Sequence, residues 1–321
     1  LTAVGFVILG LQGLFTESMD TLAVTLAAVF VSLLIGIPLG VLAGFSDRFN
    51  RMITPFLDFM QTMPSFVYLA PLTLFFGIGL SSAVITTVIY AAPPAIRLTA
   101  HGIRSVNKAT VEASQSLGST SWQTLTHVLL PMSRRTIVLG INQTIMAALS
   151  MVTIAALIDA PGLGKTVIKA LQSVDVGTAF NAGIALVILA IVLDRTTTAM
   201  AVRSEGVVQK RRFGLPARLA QLRRPFVLAG AVATVVAAYL SRTYVDLAIF
   251  PKPASDSPLN LGRLISSGAD NATTWVQDTF PTLTSGLQEV TTSWLIDPLQ
   301  SLLTDSPWWA TAAAITAIAL I

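Results

Sequence analysis

Long apolar runs separated by short polar breaks set the character of this chain. The runs 21–44, 64–96, 136–158, 178–193 and 226–239 contain no Asp, Glu, Lys, Arg or His. A helix needs about 20 mostly apolar residues to cross a bilayer, so this pattern predicts several membrane helices and not a soluble core. An apolar helix over Leu1 to Phe15 is expected first. It reads as a span and not as a signal peptide, because no basic region precedes it and no small-residue cleavage site follows. Glu17 and Asp20 mark a polar turn, and Thr21 to Gly44 forms the next span, with close packing expected near Gly36, Pro38 and Gly40. A charged loop at Asp47, Arg48 and Arg51 precedes an amphipathic piece, Phe56 to Met63. The short apolar segment Pro64 to Gly79 contains Pro64, Pro71, Gly77 and Gly79, as an interrupted helix lining a path would, although a kinked packing helix shows the same residues. Ser81 to Ile96 reads as a span broken at Pro93-Pro94, with Arg97 at the membrane edge, and Thr136 to Ile158, Thr178 to Leu193 and Phe226 to Tyr239 follow. Asp246 to Ser306 is polar, acidic and rich in Pro and Ser, and Pro307 to Ile321 is apolar again.

One polar island interrupts the lipid-soluble pattern, VEASQSLGSTSWQTLTHVLLP at 111–131. Glu112 and Ala113 are expected to open a short helix that Gly118 breaks. Thr120 and Gln123 have the spacing of a capping box for a second helix, which Pro131 is expected to stop. A helix-turn-helix of this kind between membrane spans suits docking to a soluble partner.

Composition agrees with a membrane location. Charged residues make up 11% of the chain and hydrophobic residues 53%, against about a quarter charged in an ordinary soluble domain. Cysteine is absent, which excludes disulfides and thiolate metal sites. Gly162, Gly164, Lys165 and Thr166 suggest a phosphate loop, but the required first glycine is Asp159 and no buried strand leads in. A turn followed by an amphipathic helix is expected there instead. Eight Lys and Arg residues in 195–224 follow a span and read as a topology signal, not as a nucleic-acid site.

Placing the polar island in the cytoplasm puts 15 of the 20 Lys and Arg residues on that side, in the loops near 48, at 97–135 and at 195–224. That is a positive-inside bias, and it leaves 159–177 and 246–306 outside the cytoplasm. The charge-free spans also lack the ionisable relay that a proton-coupled carrier uses. With no nucleotide site in the chain, the energy for transport would have to come from another subunit.

Glu112-Ala113, Gly118 and Val128-x-Leu130-Pro131 resemble the EAA motif of bacterial ABC-importer permeases, with both spacings kept, while Ser114 replaces the second Ala and Val128 the Ile. PFLDFMQTMPSFVYLAPLTLFFGIG at 55–79, PPAIRLTAHGIRSV at 93–106 and INQTIMAALSMVTIAALIDAPGLGK at 141–165 are similar to permeases of the glycine betaine, proline and choline quaternary-ammonium class. The resemblance implies an all-α polytopic membrane protein with the fold of a type I ABC importer transmembrane domain, in a prokaryotic inner or plasma membrane. It implies a translocation subunit for compatible solutes such as glycine betaine, choline, carnitine or proline, and not an enzyme. No cofactor or metal is expected on the chain itself, since ATP and Mg would bind a partner ATPase. Implied partners are cytoplasmic ABC ATPase subunits, an extracytoplasmic substrate-binding protein and a second permease domain, besides the lipid membrane, with no nucleic acid.

The same resemblance assigns ATPase coupling to Glu112, Ala113, Gly118, Leu130 and Pro131. Candidates for the translocation pathway are Met63, Pro64, Tyr68, Asn142, Gln143 and Met146, because irregular or polar membrane segments tend to face a cavity. Tyr68 suits cation-π attraction to a quaternary ammonium but equally suits packing, and the amides equally suit helix-helix hydrogen bonds. The expected organisation is a permease domain over 1–200, a basic cytoplasmic linker and further span over 201–245, an extracytoplasmic segment over 246–306, and the start of a span at 307–321. Trp275 to Ile321 resembles the beginning of the same permease family, as in a tandem of two repeats, with a permuted order or an incomplete chain as rivals. Two other functions stay open: a permease for another small ligand such as an amino acid, or a membrane protein without ATP coupling.

Overall fold

In the computed structural model, residues 2–204, 260–281, 286 and 289–319 are described. Among them the only regular elements are helices. The first compact unit, 1–266, contains α1 (Thr2–Leu11), α2 (Phe15–Phe45), α3 (Asp47–Thr62), α4 (Ser65–Phe76) and α5 (Leu80–Arg104). It continues through α6 (Lys108–Ser116), α7 (Ser121–Thr124), a π-helical turn at Leu125–Leu129, α8 (Leu130–Ala155), α9 (Leu163–Gln172) and α10 (Val176–Ser204). The helix α11 (Leu261–Thr279) begins in this unit. The second unit, 267–321, contains the rest of α11, a π-helical turn at Thr291–Ile296, α12 (Asp297–Asp305) and α13 (Trp308–Ala319). Within it the rings of Trp275 and Phe280 meet edge to face at 5.6 Å. The expected span at 226–239 and residues 205–245 of the linker segment expected over 201–245 lie outside the described residues, while 201–204 belong to α10.

Among the described residues, four stretches are long and apolar enough to cross a membrane: Phe15–Phe45, Leu80–Arg104, Ser121–Ile158 and Val176–Ala199. A fifth crossing is available if α3 and α4 act as one broken span, bent by 94°. With 10 described residues, α1 is about 15 Å long, half the hydrocarbon thickness.

Helices proved more continuous than the breaks between apolar runs suggest. No turn occurs at Glu17 and Asp20, because α2 already starts at Phe15 and carries both through its first two turns. The polar residues there supply their own partners: Ser18 Oγ donates to the Leu14 carbonyl and Thr21 Oγ1 to that of Glu17. Asp47, Arg48 and Arg51 belong to α3, whose first turn is capped by Ser46 Oγ accepting from the Phe49 amide. Pro93-Pro94 does not break α5 either. A membrane helix tolerates the lost hydrogen bonds where neighbours enclose it, and α5 packs along both α2 and α8.

Small residues decide the closest of those contacts. Gly36, Gly40 and Gly44 form one stripe of α2 against Ala95, Thr99 and Ile103 of α5. A Cβ on Gly40 would stand 2.6 Å from Thr99 Cβ and 2.8 Å from the Ile96 carbonyl oxygen. In lipid, association of helices comes from such close packing and not from hydrophobic expulsion. Arg104 fixes the end of the same seam, donating from Nε and Nη2 to the Ala43 carbonyl at 3.1 and 2.8 Å and pairing with Asp47 at 2.6 Å.

The 159–175 connection has the expected turn and amphipathic helix. Gly162 and Gly164 serve packing: the Leu163 amide donates to Thr21 Oγ1 at 2.8 Å, and a Cβ on Gly164 would meet the Thr153 carbonyl at 2.8 Å. Lys165 Nζ pairs with Asp159 at 2.6 Å and holds its carboxyl below the usual range. At the start of α10 the Thr178 amide donates to Asp175 Oδ1 at 2.8 Å. This bond, with one from the Thr178 side chain, lowers the Asp175 pKa from its ordinary 3.8. A folded value below the unfolded one stabilises the cap fully above the unfolded pKa, and this contribution is lost as the pH falls through the folded value. Exchange of the Thr178 amide, corrected for its intrinsic pH dependence, is therefore expected to quicken below the ordinary carboxyl pKa in the wild type but not in Asp175→Asn. Equal profiles would contradict the cap.

Candidate functional site

The polar island folds as two short helices hinged at one glycine. Asn107 Oδ1 caps α6 by accepting from the Ala109 amide at 2.9 Å, so the helix starts at Lys108 and Glu112 and Ala113 lie in its middle, not at its opening. Its end is a Schellman turn: the Gly118 amide reaches the Gln115 carbonyl at 2.9 Å and the Ser119 amide that of Ser114 at 3.2 Å. The geometry needs a left-handed residue, and Gly118 supplies φ +85°. Ser114 contributes only a backbone carbonyl to this turn, so serine meets the requirement as well as alanine.

Thr120 then starts the second helix with a reciprocal capping box, as the spacing predicts. The Gln123 amide donates to Thr120 Oγ1 at 3.3 Å and the Thr120 amide to Gln123 Oε1 at 2.9 Å. Pro131 does not stop this helix. The chain passes through the π-helical turn at Leu125–Leu129 directly into α8, with Pro131 in its first turn. The second helix of the island and the membrane span are thus one continuous helical path.

Glu112, Ala113, Gly118 and Pro131 are exposed, and Leu130 is half-buried. Two neighbours that the motif does not name are more prominent: Leu117 is 88% exposed and Trp122 71%. They stand on either side of the Gly118 hinge, two large apolar side chains in a polar element. The signal was present in the sequence as a lone Trp after the glycine and a Leu directly before it. The π turn was not legible, since only the register of backbone bonds reveals it.

The pathway candidates fall on two elements. Met63 and Pro64 form the corner between α3 and α4, because the residue before proline is driven to extended backbone and proline lacks the amide to continue α3. Tyr68 lies one turn into α4, buried, with its hydroxyl unpartnered. On α8, Asn142 Nδ2 donates to Asp194 Oδ1 of α10 at 3.0 Å, while its Oδ1 is buried without a partner. Gln143 is exposed and Met146 half-buried. The structure thus gives Asn142 an interhelical bond, and it brings Asp194 inside a helix that runs on to Ser204.

Among the described residues, a bundle of membrane helices contains one sharply broken member and an exposed helical hinge between two spans. Residues 36–204 match the family of binding-protein-dependent transport system inner membrane components, and the chain belongs to that family. It is 45% identical over 205 residues to the glycine betaine transport system permease protein OpuAB of Bacillus subtilis, a match covering 64% of this chain and 73% of that protein. Identity to the glycine betaine/proline betaine permease protein ProW of Escherichia coli is 43% over 228 residues, 70% of this chain and 64% of that one. The trimethylamine N-oxide transport system permease protein TmoV of Ruegeria pomeroyi is 31% identical over 318 residues, which are 98% of this chain but 46% of that protein. Among solved structures, an inward-facing form of the MetNI methionine ABC transporter aligns with a TM-score of 0.55 at 22% identity, covering 60% of this chain and 95% of that one. The fold is that of a type I ABC importer transmembrane domain.

Proposed function

We propose that this chain is the translocation subunit of an ATP-driven importer for small solutes with an N-methylated cationic nitrogen, glycine betaine foremost. The observation that supports the reading most is the 107–131 element, an exposed helical hinge continuous with a membrane span. ATPase subunits dock there, with Glu112, Ala113, Gly118, Leu130 and Pro131 as the coupling set, and an extracytoplasmic binding protein delivers the solute. Substrate passes the broken helix at Met63, Pro64 and Tyr68 and the α8 face with Gln143 and Met146, beside Asn142. Residues 1–200 form one permease domain and 307–321 begin a second. The Ruegeria relative, which contains nearly this whole stretch within less than half its length, supports that tandem organisation.

The same relative favours a second substrate reading, since trimethylamine N-oxide carries a trimethylated nitrogen too. Proteoliposomes holding the permease, its ATPase and its binding protein decide between them, with labelled glycine betaine and labelled trimethylamine N-oxide offered separately. Betaine uptake that requires ATP on the ATPase side is expected. Uptake of the N-oxide alone would replace the substrate, and ATP-independent flux of either would overturn the importer reading.

A further inference from the structure

Where α5 runs toward the docking element, a cavity of about 250 Å³ opens between its last turns, the end of α2 and helix α3. Its polar lining consists of Asn50 and Thr54 from α3 and Arg97, His101 and Arg104 from α5. We propose that this cavity binds an anionic phosphate group, carried by a phospholipid headgroup of the adjoining leaflet. Free phosphate is the other source of the same chemistry.

Three observations carry the assignment. Arg97 gives Nη2 to Asp58 at 2.5 Å, yet its Nε is buried with no partner. A buried guanidinium donor left unpaired costs free energy that an entering oxyanion recovers. The local charge is positive, because Arg48, Arg51, Arg97 and Arg104 outnumber Asp47 and Asp58 on α3 and α5. Both acids face outward, with 82% of the Asp47 side chain and 56% of that of Asp58 exposed, while Arg104 is also held from the inner side by the Ala43 carbonyl. Position favours the lipid over the free ion. The helix α3 turns 94° from α4 and exposes Met52, Phe56 and Phe59, as an amphipathic helix lying at the headgroup level does. Acyl chains attached to the bound phosphate would have an apolar surface beside the cavity. The orientation proposed above decides only which leaflet supplies the lipid.

The test uses the purified transporter complex and needs no transport. Radiolabelled phosphatidylglycerol, diacylglycerol with the same chains, and inorganic phosphate are each offered to wild type, Arg97→Gln and His101→Leu. Retention of phosphatidylglycerol but not diacylglycerol is expected, roughly tenfold weaker in each variant, as for loss of one charge-assisted bond. His101→Leu leaves both ion pairs intact, so it decides the matter if Arg97→Gln fails to assemble. Binding of inorganic phosphate without lipid retention would keep the phosphate site and overturn the lipid as its source. Equal retention of both lipids, or retention unchanged in His101→Leu, would overturn the site.

Discussion

Replacing Gly118 with proline is expected to abolish ATPase co-purification and solute uptake while the membrane bundle still folds. Gly118 holds φ +85°, which proline cannot adopt, and the Schellman bonds to the Gln115 and Ser114 carbonyls depend on that angle. No atom lies within 4 Å of the place a Cβ would occupy, so crowding is not the cause. Valine should therefore fail in the same direction, at a backbone cost of about 1–2 kcal/mol, and asparagine should keep most docking because it visits the left-handed region. If the proline variant binds ATPase like wild type, the hinge is not the coupling element.

The largest expected loss of stability comes from Gly40→Leu. Even the first added carbon would overlap the Ile96 carbonyl and Thr99, and backbone on both helices leaves nothing flexible to give way. Overpacking of this kind costs about 3 kcal/mol, more where backbone must shift. Gly183 on α10 is the control, since a Cβ there meets nothing within 4 Å. Thermal unfolding in detergent, followed by fluorescence, should show a lowered midpoint for Gly40→Leu and none for Gly183→Ala. Equal midpoints would mean that α2 and α5 do not touch along this stripe.

Local chemistry was legible in the sequence, and long-range packing was not. The Thr120–Gln123 capping box and the Gly118 break were readable because each depends on residues within one turn. Pro131 was misread because the same residue ends one helix or opens another, and only the π-helical continuation decides between them. Glu17, Asp20 and the Pro93-Pro94 pair were misread for a related reason: apolar periodicity locates lipid, whereas α2 and α5 continue wherever their backbone bonds and neighbours allow. Asp194 as the partner of Asn142 lies 52 positions away, beyond any local pattern. The packing use of Gly162 and Gly164 was equally hidden, because their neighbours Thr21 and Thr153 become adjacent only in the bundle.

The three glycines of α2 repeat every fourth residue, roughly 6 Å along the helix axis, and each receives one side chain of α5. Such a rack has no intermediate stops. Sliding one helix by less than a tooth would drive Thr99 or Ile103 against the larger residues between the glycines. A displacement of α5 along its axis therefore carries α2 with it as a single strut.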